Sequence, residues 1–183
     1  GLAMMTFITA LSGAFVAGND AGLVYNEFPK MGNGYIPDDL INPYIQPAWR
    51  NIFENPTLVQ FIHRCFAITT FSLSWVTALT CLFKPNCPNK IVSAALATAT
   101  VASGQATLGY LTLVNYVPID LAACHQAGAM ALLFSATRLL FYTNNPVLSI
   151  HKIDRGLKSN KMLFHNLLDI GNDNERLTKF LDK

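Results

Sequence analysis

Charged residues are absent from four long stretches of the chain, and each of these stretches is rich in apolar residues. The uncharged stretches are residues 1–19, 65–83, 91–119 and 121–137. A bilayer has a hydrocarbon core about 30 Å thick, which about 20 apolar residues of helix cross. The pattern therefore predicts four transmembrane helices. Their expected positions are residues 2–18, 57–83, 91–115 and 119–142.

A soluble helical bundle is the alternative interpretation of the four segments. The helices of such a bundle have one polar and one apolar face, and these segments do not show that alternation. The composition also favours a membrane protein, because only 13% of the residues are charged, whereas soluble domains contain about 25%. We therefore predict an all-α fold, an integral membrane four-helix bundle in contact with the lipid bilayer, and we expect no nucleic-acid partner.

The first apolar segment resembles a secretory signal peptide in its hydrophobicity alone. It has no basic residue before the apolar run, and the sequence GAFVAGNDAG continues without an obvious cleavage site. We therefore interpret residues 2–18 as a membrane span. Because the chain starts with Gly1, we expect either a processed protein or a piece of a longer one.

Basic residues in the short flanks of the helices predict their orientation. Lys84 and Lys90 lie between the second and third predicted helices, and several more basic residues follow the fourth helix. The turn at 115–120 has none. Basic residues favour the cytoplasmic or matrix side of a membrane, so we expect both termini on that side. The connection 19–56, called the outer loop below, is expected on the opposite side.

The outer loop is far longer than a usual connection between two helices. Its aromatic residues are typical of a segment at a membrane surface, and residues 45–54 are expected to form a short interfacial helix. Two roles remain open for the loop, a lid over the helical bundle and a passive interfacial cover. We divide the chain into a four-helix domain, residues 1–142, and a polar tail on the matrix or cytoplasmic side, residues 143–183.

Two predicted helices carry a histidine at the same distance from their outer ends. Asn55 and Pro56 are a favourable N-cap and first residue for the second helix, and Pro118 precedes the fourth. His63 and His125 each follow the respective proline by seven residues. Since a helix rises about 1.5 Å per residue, both imidazoles are expected roughly 10 Å inside the outer end.

Ionisable residues inside membrane spans are costly, and most have a function. Histidine is a common axial ligand of haem iron, and helical bundles hold cofactors between facing helices. We therefore predict that His63 and His125 coordinate the iron of one haem. The structural alternative is a histidine that only hydrogen-bonds a backbone carbonyl, which explains one such residue better than two at matched depth.

Residues near the histidines fit a haem but also have structural explanations. Arg64 would pair with a haem propionate, or it would extend to the lipid headgroups. Small residues would leave space for a porphyrin, or they would allow close packing of helices; they are Ala122, Gly128, Ala129, Ser103, Gly104 and Gly109. Three glutamines would orient a histidine or propionate, or would bridge helices; they are Gln60, Gln105 and Gln126.

Several stretches together resemble haem A synthase, a family that assembles cytochrome c oxidase, and in particular its C-terminal half. They are GAFVAGNDAGLVYNEFPKMG, IPDDL, RNIFENPTLVQFIHR and GYLTLVNYVPIDLAACHQAGA. The resemblance covers about residues 10–135 and is strongest to the mitochondrial and alphaproteobacterial branch. It implies a mitochondrial inner membrane protein, with a bacterial plasma membrane as the alternative.

The resemblance implies half of an eight-helix, pseudo-symmetric protein that oxidises a methyl group of haem O to the formyl group of haem A. In the family, the C-terminal half holds haem b through two histidines that correspond to His63 and His125. The N-terminal half binds the haem substrate and has a glutamate three residues before its first histidine. Gln60 occupies that position here, so we name no catalytic residue and assign this half an electron-transfer role.

Two alternatives stand beside the haem A synthase hypothesis. The first is an electron-transfer cytochrome b subunit without substrate chemistry, and the second is a membrane scaffold in which the histidines are structural. The hypothesis implies haem O as substrate, and either an N-terminal half or a second copy of the chain as partner. The sequence does not identify the electron acceptor.

Overall fold

The computed structural model describes residues 1–145, and the regular elements among them are helical, apart from an isolated bridge between Met31 and Gly34. The helices are α1 (Leu2–Gly18), α2 (Asn51–Glu54), α3 (Pro56–Phe83), α4 (Asn89–Val114) and α5 (Ile119–Asn144). The predicted all-α fold is thus confirmed. Almost all of the predicted polar tail, 143–183, lies outside the described residues.

Three of the helices, α3, α4 and α5, are long and apolar enough to cross a membrane. Helix α1 coincides with the predicted span 2–18 and is also apolar, but it has 17 residues, the lower end of the usual range of about 17–25. The all-α membrane bundle is confirmed by these lengths and compositions. A fourth crossing by α1 and the orientation of the termini stay predictions.

The distribution of residues between interior and surface also fits a membrane protein. The closely packed interior consists largely of small side chains, among them Ala78, Ala95, Ala99 and Ser74. Large apolar side chains point outward instead, and Phe83 and Phe134 are 78% and 72% exposed. Small residues let membrane helices approach closely, and the exposed aromatic and aliphatic groups would contact lipid.

Side-chain hydrogen bonds connect the long helices in chain order. The hydroxyl groups of Thr9 on α1 and Thr70 on α3 lie 2.7 Å apart. The indole Nε1 of Trp75 on α3 donates to Ser103 on α4 over 3.1 Å. On the next pair, α4 and α5, the hydroxyls of Thr98 and Ser135 are 2.9 Å apart. Each neighbouring pair of long helices therefore has a polar contact that fixes its register.

Asn55 and Pro56 begin α3, as the sequence predicts. The side-chain oxygen of Asn55 accepts a 3.1 Å hydrogen bond from the Thr57 N–H. Pro56 lies at the start of the helix, where its missing N–H costs no hydrogen bond. The Asn55 amide also donates to the Leu40 carbonyl (3.0 Å) and to Asn51 Oδ1 (3.1 Å). The outer loop is therefore fastened to the first turn of α3.

The outer loop is held by further hydrogen bonds between distant residues. The Asn26 amide donates to the carbonyl of Leu113, at the end of α4, over 2.9 Å. The carboxylate of Asp39 accepts from the Tyr25 hydroxyl (2.6 Å) and from Thr57 (3.0 Å). The expected interfacial helix at 45–54 is shorter than predicted, with a 3₁₀ turn at Ala48–Arg50 followed by α2.

Candidate functional site

His63 on α3 lies directly against α1. Its Nδ1 atom is 2.8 Å from the hydroxyl oxygen of Ser12. A Cβ atom added at Gly13 would be only 3.1 Å from Cε1 of the His63 ring. Glycine at position 13 therefore lets the imidazole pack on the backbone of α1. Ser12 and Gly13 were not identified from the sequence, where a small Ser–Gly pair within an apolar helix is the sole signal.

His125 on α5 lies against α4 in a comparable way. A Cβ atom added at Gly109 would come within 2.8 Å of Cε1 and 3.3 Å of Nε2 of His125. The first distance is shorter than real Cβ contacts allow, so any side chain at Gly109 would displace the ring. The Gln105 amide, on the same helix, donates a 2.8 Å hydrogen bond to the backbone carbonyl of His125. Gln105 thus bridges two helices beside the histidine.

His63 and His125 thus each lie against a glycine on the backbone of a neighbouring helix. Their hydrogen bonding differs, however. Nδ1 of His63 contacts Ser12, whereas Nδ1 of His125 is buried and has no hydrogen-bond partner in the described part of the chain. A buried polar atom without a partner is uncommon, and a bound water or other group often explains one.

Arg64 binds the outer loop through three backbone carbonyl groups. One terminal nitrogen of its guanidinium donates to Tyr25 O (2.9 Å), and the other donates to Glu27 O (3.0 Å) and Lys30 O (3.1 Å). Its Nε atom is buried and lacks a partner among residues 1–145. Pairing of Arg64 with a propionate therefore stays a prediction, and contact with the outer loop is the role that the structure adds.

The three glutamines named from the sequence occupy different environments. Gln60 is buried, and its amide donates to the Tyr25 carbonyl over 3.0 Å. The same carbonyl accepts from Arg64, so two side chains one turn apart on α3 hold one point of the outer loop. Gln105 bridges α4 and α5, as described above, and Gln126 is exposed.

The small residues also differ in their surroundings. A Cβ atom at Gly128 would clash with the side chain of Gln105 on α4, so Gly128 serves close helix packing and forms no open wall beside His125. Nothing lies within 4 Å of a Cβ atom placed at Gly104. Of the small residues on α4 that were named from the sequence, Gly109 is the one whose lack of a side chain the His125 ring requires.

An apolar groove of about 160 Å³ opens between α1, α2 and α3. Its lining includes Leu11, Phe53, Val59 and Phe66, and it reaches Ser12. Neither His63 nor His125 lines this groove, so it is separate from the pair of imidazoles. Within residues 1–145 no group of three or more His, Cys, Asp or Glu side chains is arranged to hold a metal ion. A bis-histidine haem needs only two protein ligands, so its site would not form such a group.

Comparison with known proteins identifies relatives of the chain. Residues 1–137 match the family model COX15-CtaA, described as cytochrome oxidase assembly protein. The chain is 49% identical to "Heme A synthase COX15" of Mus musculus and 50% identical to that of Homo sapiens, in each case over 144 residues, 76% of this chain and 33% of the relative. It is 41% identical over 132 residues to "Heme A synthase" of Azorhizobium caulinodans, covering 72% of this chain and 37% of that protein.

The chain spans about a third of the length of these curated relatives. No solved structure matches it. The matched residues 1–137 include α1, α4 and both histidines, and the resemblance to haem A synthase is confirmed. The chain therefore belongs to the COX15-CtaA family of cytochrome oxidase assembly proteins.

Proposed function

We propose that the chain is the haem b-binding half of a haem A synthase, the enzyme that oxidises a methyl group of haem O to the formyl group of haem A. The names of the relatives support the reaction. The proposal for the haem rests mainly on one observation. His63 on α3 and His125 on α5 each lie on a glycine of a neighbouring helix, Gly13 and Gly109 respectively.

The residues around the two imidazoles fit an iron-bound haem. Nδ1 of His63 is engaged by Ser12, which leaves Nε2 of that ring as the ligand atom. The Nδ1 atom of His125 is buried and has no partner within the described chain, and the ring of His125 lies against Gly109 of α4. His63 and His125 would therefore hold the haem iron. A bis-histidine haem supplies reversible one-electron transfer between ferric and ferrous iron.

Arg64 is the third residue that we assign to the haem site. Three of its hydrogen bonds hold the outer loop, and the buried Nε–H remains without a partner within the described chain. A haem propionate would satisfy this donor in a charge-assisted hydrogen bond. In this proposal Arg64 joins the outer loop, as a lid, to the edge of the haem.

An electron-transfer cytochrome b subunit is the second candidate function, and the environment of Gln60 agrees with it as well as with the first. A neutral amide replaces the carboxylate expected in a substrate-binding half, and it is buried in a hydrogen bond to the outer loop. The described residues would then carry electrons without acting on haem O. Both candidates share the bis-histidine haem and a location in the mitochondrial inner membrane or a bacterial plasma membrane.

An optical spectrum of the detergent-purified protein tests the haem assignment. We expect a low-spin b-type reduced-minus-oxidised spectrum, with one haem per chain by pyridine haemochrome. His63→Ala and His125→Ala should each lose this spectrum while still inserting into membranes. Gln126→Ala, next to His125 but exposed, is the matched control and should keep it. Full haem content in both histidine variants would contradict the assignment.

Formation of haem A separates the two candidates. Membranes supplied with haem O should produce haem A when the complete protein, including any N-terminal half, is present. If the wild type produces haem A and the His63→Ala variant does not, the synthase is supported. A haem-loaded protein that never forms haem A supports the electron-transfer subunit.

A further inference from the structure

The hydroxyl group of Ser12 makes two short hydrogen bonds. Its oxygen is 2.7 Å from the backbone carbonyl of Thr9 and 2.8 Å from Nδ1 of His63. A hydroxyl has one proton, and a carbonyl only accepts hydrogen bonds. The serine proton is therefore directed to Thr9. The Ser12 oxygen is then left to accept a hydrogen bond, so the proton of the second contact belongs to Nδ1 of His63.

The surroundings of the ring support this arrangement. A neutral imidazole carries one proton on its two nitrogens. With that proton on Nδ1, the lone pair of Nε2 is free, and within residues 1–145 no hydrogen bond to Nε2 competes for it. Nε2 is the atom that the proposed function assigns to iron.

Helix α1 holds Ser12 opposite His63. One turn earlier, the Thr9 hydroxyl contacts Thr70 over 2.7 Å and the Phe66 carbonyl over 3.3 Å, both on α3. Next to Ser12, Gly13 permits the ring to approach the helix backbone. Contacts on both sides of Ser12 along α1 therefore fix its position relative to the imidazole.

We propose that Ser12 is a positioning residue, which orients the His63 ring and keeps the proton on Nδ1 so that Nε2 is directed to the haem iron. The inference rests on the proposed haem site. Hydrogen bonds to the outer nitrogen of a ligating histidine orient the ring and raise its basicity. Because Nδ1 of His125 has no partner in the described part of the chain, His63 would be the more basic of the two histidine ligands.

Substitution of Ser12 tests this role in the haem-loaded protein. Ser12→Ala should weaken haem affinity by roughly 10-fold, the low end of the effect of losing such a partner. It should also shift the haem midpoint potential upward, because a less basic ligand stabilises ferric iron less, and change the EPR g values of the ferric haem. Ser12→Thr keeps the hydroxyl and should restore all three values.

Ser93→Ala is the matched control, since Ser93 also bonds the carbonyl three residues earlier in its helix but lies away from both histidines. It should leave affinity, potential and EPR spectrum unchanged. Unchanged values in Ser12→Ala, with haem present in the wild type, would overturn the role of Ser12 alone. A wild type without haem would overturn the proposed haem site and this inference with it.

Ser12→Cys keeps the inference testable if Ser12→Ala does not fold. The thiol retains a side chain of similar size but is a weak acceptor. A folded Ser12→Cys protein should show an upward shift in midpoint potential relative to Ser12→Thr. Equal potentials in the two variants would overturn the inference.

Discussion

The imidazole of His125 lies so close to Gly109 that a single added carbon at position 109 would be 2.8 Å from its Cε1 atom. This contact joins α5 to α4, and it requires the absence of a side chain at position 109 as well as the presence of the histidine. Gly13 and His63 repeat the relationship between α1 and α3, with a slightly longer distance of 3.1 Å. Both histidines thus depend on a neighbouring helix that carries no side chain at the point of contact.

Gly109→Ala should therefore displace the His125 ring and lower the haem content of the purified protein, because the new methyl group and the ring cannot share the space. Gly13→Ala should also lower the haem content, but by a smaller amount, because its contact with His63 is longer. Haem per chain by pyridine haemochrome measures both. We expect Gly109→Ala to retain less haem than Gly13→Ala at equal protein concentration.

Gly104→Ala provides the control on the same helix. A Cβ atom at that position meets nothing within 4 Å, and replacing a helical glycine by alanine stabilises a helix by about 1 kcal/mol. Gly104→Ala should keep its haem and unfold at the same or a higher temperature. Equal haem loss in Gly104→Ala and Gly109→Ala would show that the contact with His125 is not the cause.

Arg64→Ala should loosen the outer loop near residues 25–30, because it removes three hydrogen bonds to backbone carbonyls. A hydrogen bond with a charged partner contributes about 1.5–3 kcal/mol, and the solvent exposure of the loop reduces that amount. Amide hydrogen exchange in this segment should be several-fold faster than in the wild type. Mass spectrometry of peptides from the outer loop measures it.

Arg50→Ala is the matched control for Arg64→Ala. Arg50 also lies in the outer loop, but it pairs with Glu54 at the surface, where both side chains are nearly half exposed. Such pairs contribute about 0–1 kcal/mol. Exchange in residues 25–30 should be unchanged in Arg50→Ala. If both variants accelerate exchange equally, Arg64 does not hold the loop.

The contact between Tyr25 and Asp39 predicts pH dependence of the outer loop. The hydrogen bond from the Tyr25 hydroxyl lowers the pKa of Asp39 and raises the pKa of Tyr25 to about 12. The stabilisation by Asp39 is therefore present at neutral pH and is lost as the pH falls through its lowered pKa. The stabilisation by Tyr25 is present below pH 10.0, its ordinary pKa, and is lost as the pH rises towards 12.

Asp39→Asn should lower the pKa of Tyr25 towards 10, because it weakens the hydrogen bond that the Tyr25 hydroxyl donates and removes the negative charge that opposes ionisation. Ultraviolet titration of tyrosine ionisation measures this pKa, with Tyr25→Phe used to identify the contribution of Tyr25. Asp38→Asn is the control, since Asp38 acts on Tyr25 only as a more weakly contributing charge. A Tyr25 pKa near 12 in Asp39→Asn would contradict the assigned hydrogen bond.

The positions of the helices could be predicted from the sequence, because a charge-free stretch long enough to cross a bilayer can be recognised from that segment alone. The start of α3 follows likewise from Asn55 and Pro56, whose effects on a helix are local. The structure of the outer loop could not be predicted in this way, because it depends on hydrogen bonds between distant residues, such as Asn26 to Leu113 and Arg64 to Tyr25.

The environment of the histidines was predictable only in part. Equal spacing from Pro56 and Pro118 predicts that His63 and His125 lie at one depth, because helix rise is constant. It does not identify Ser12, whose role depends on the register between α1 and α3. The sequence also does not show which side chain a glycine contacts. The structure is needed to learn that Gly128 packs against Gln105 and that Gly109 packs against His125.

Thr70→Val should weaken the attachment of α1 to α3, because it removes the hydroxyl that lies 2.7 Å from Thr9 while keeping the size of the buried side chain. Hydrogen bonds between membrane helices contribute about 0.6–2 kcal/mol, so the unfolding temperature should fall modestly and amide exchange in α1 should accelerate. Thr69→Val is the control, since the exposed Thr69 hydroxyl bonds only the Cys65 carbonyl of its own helix. Similar exchange rates in the two variants would show that this hydroxyl pair does not set the register that places Ser12 beside His63.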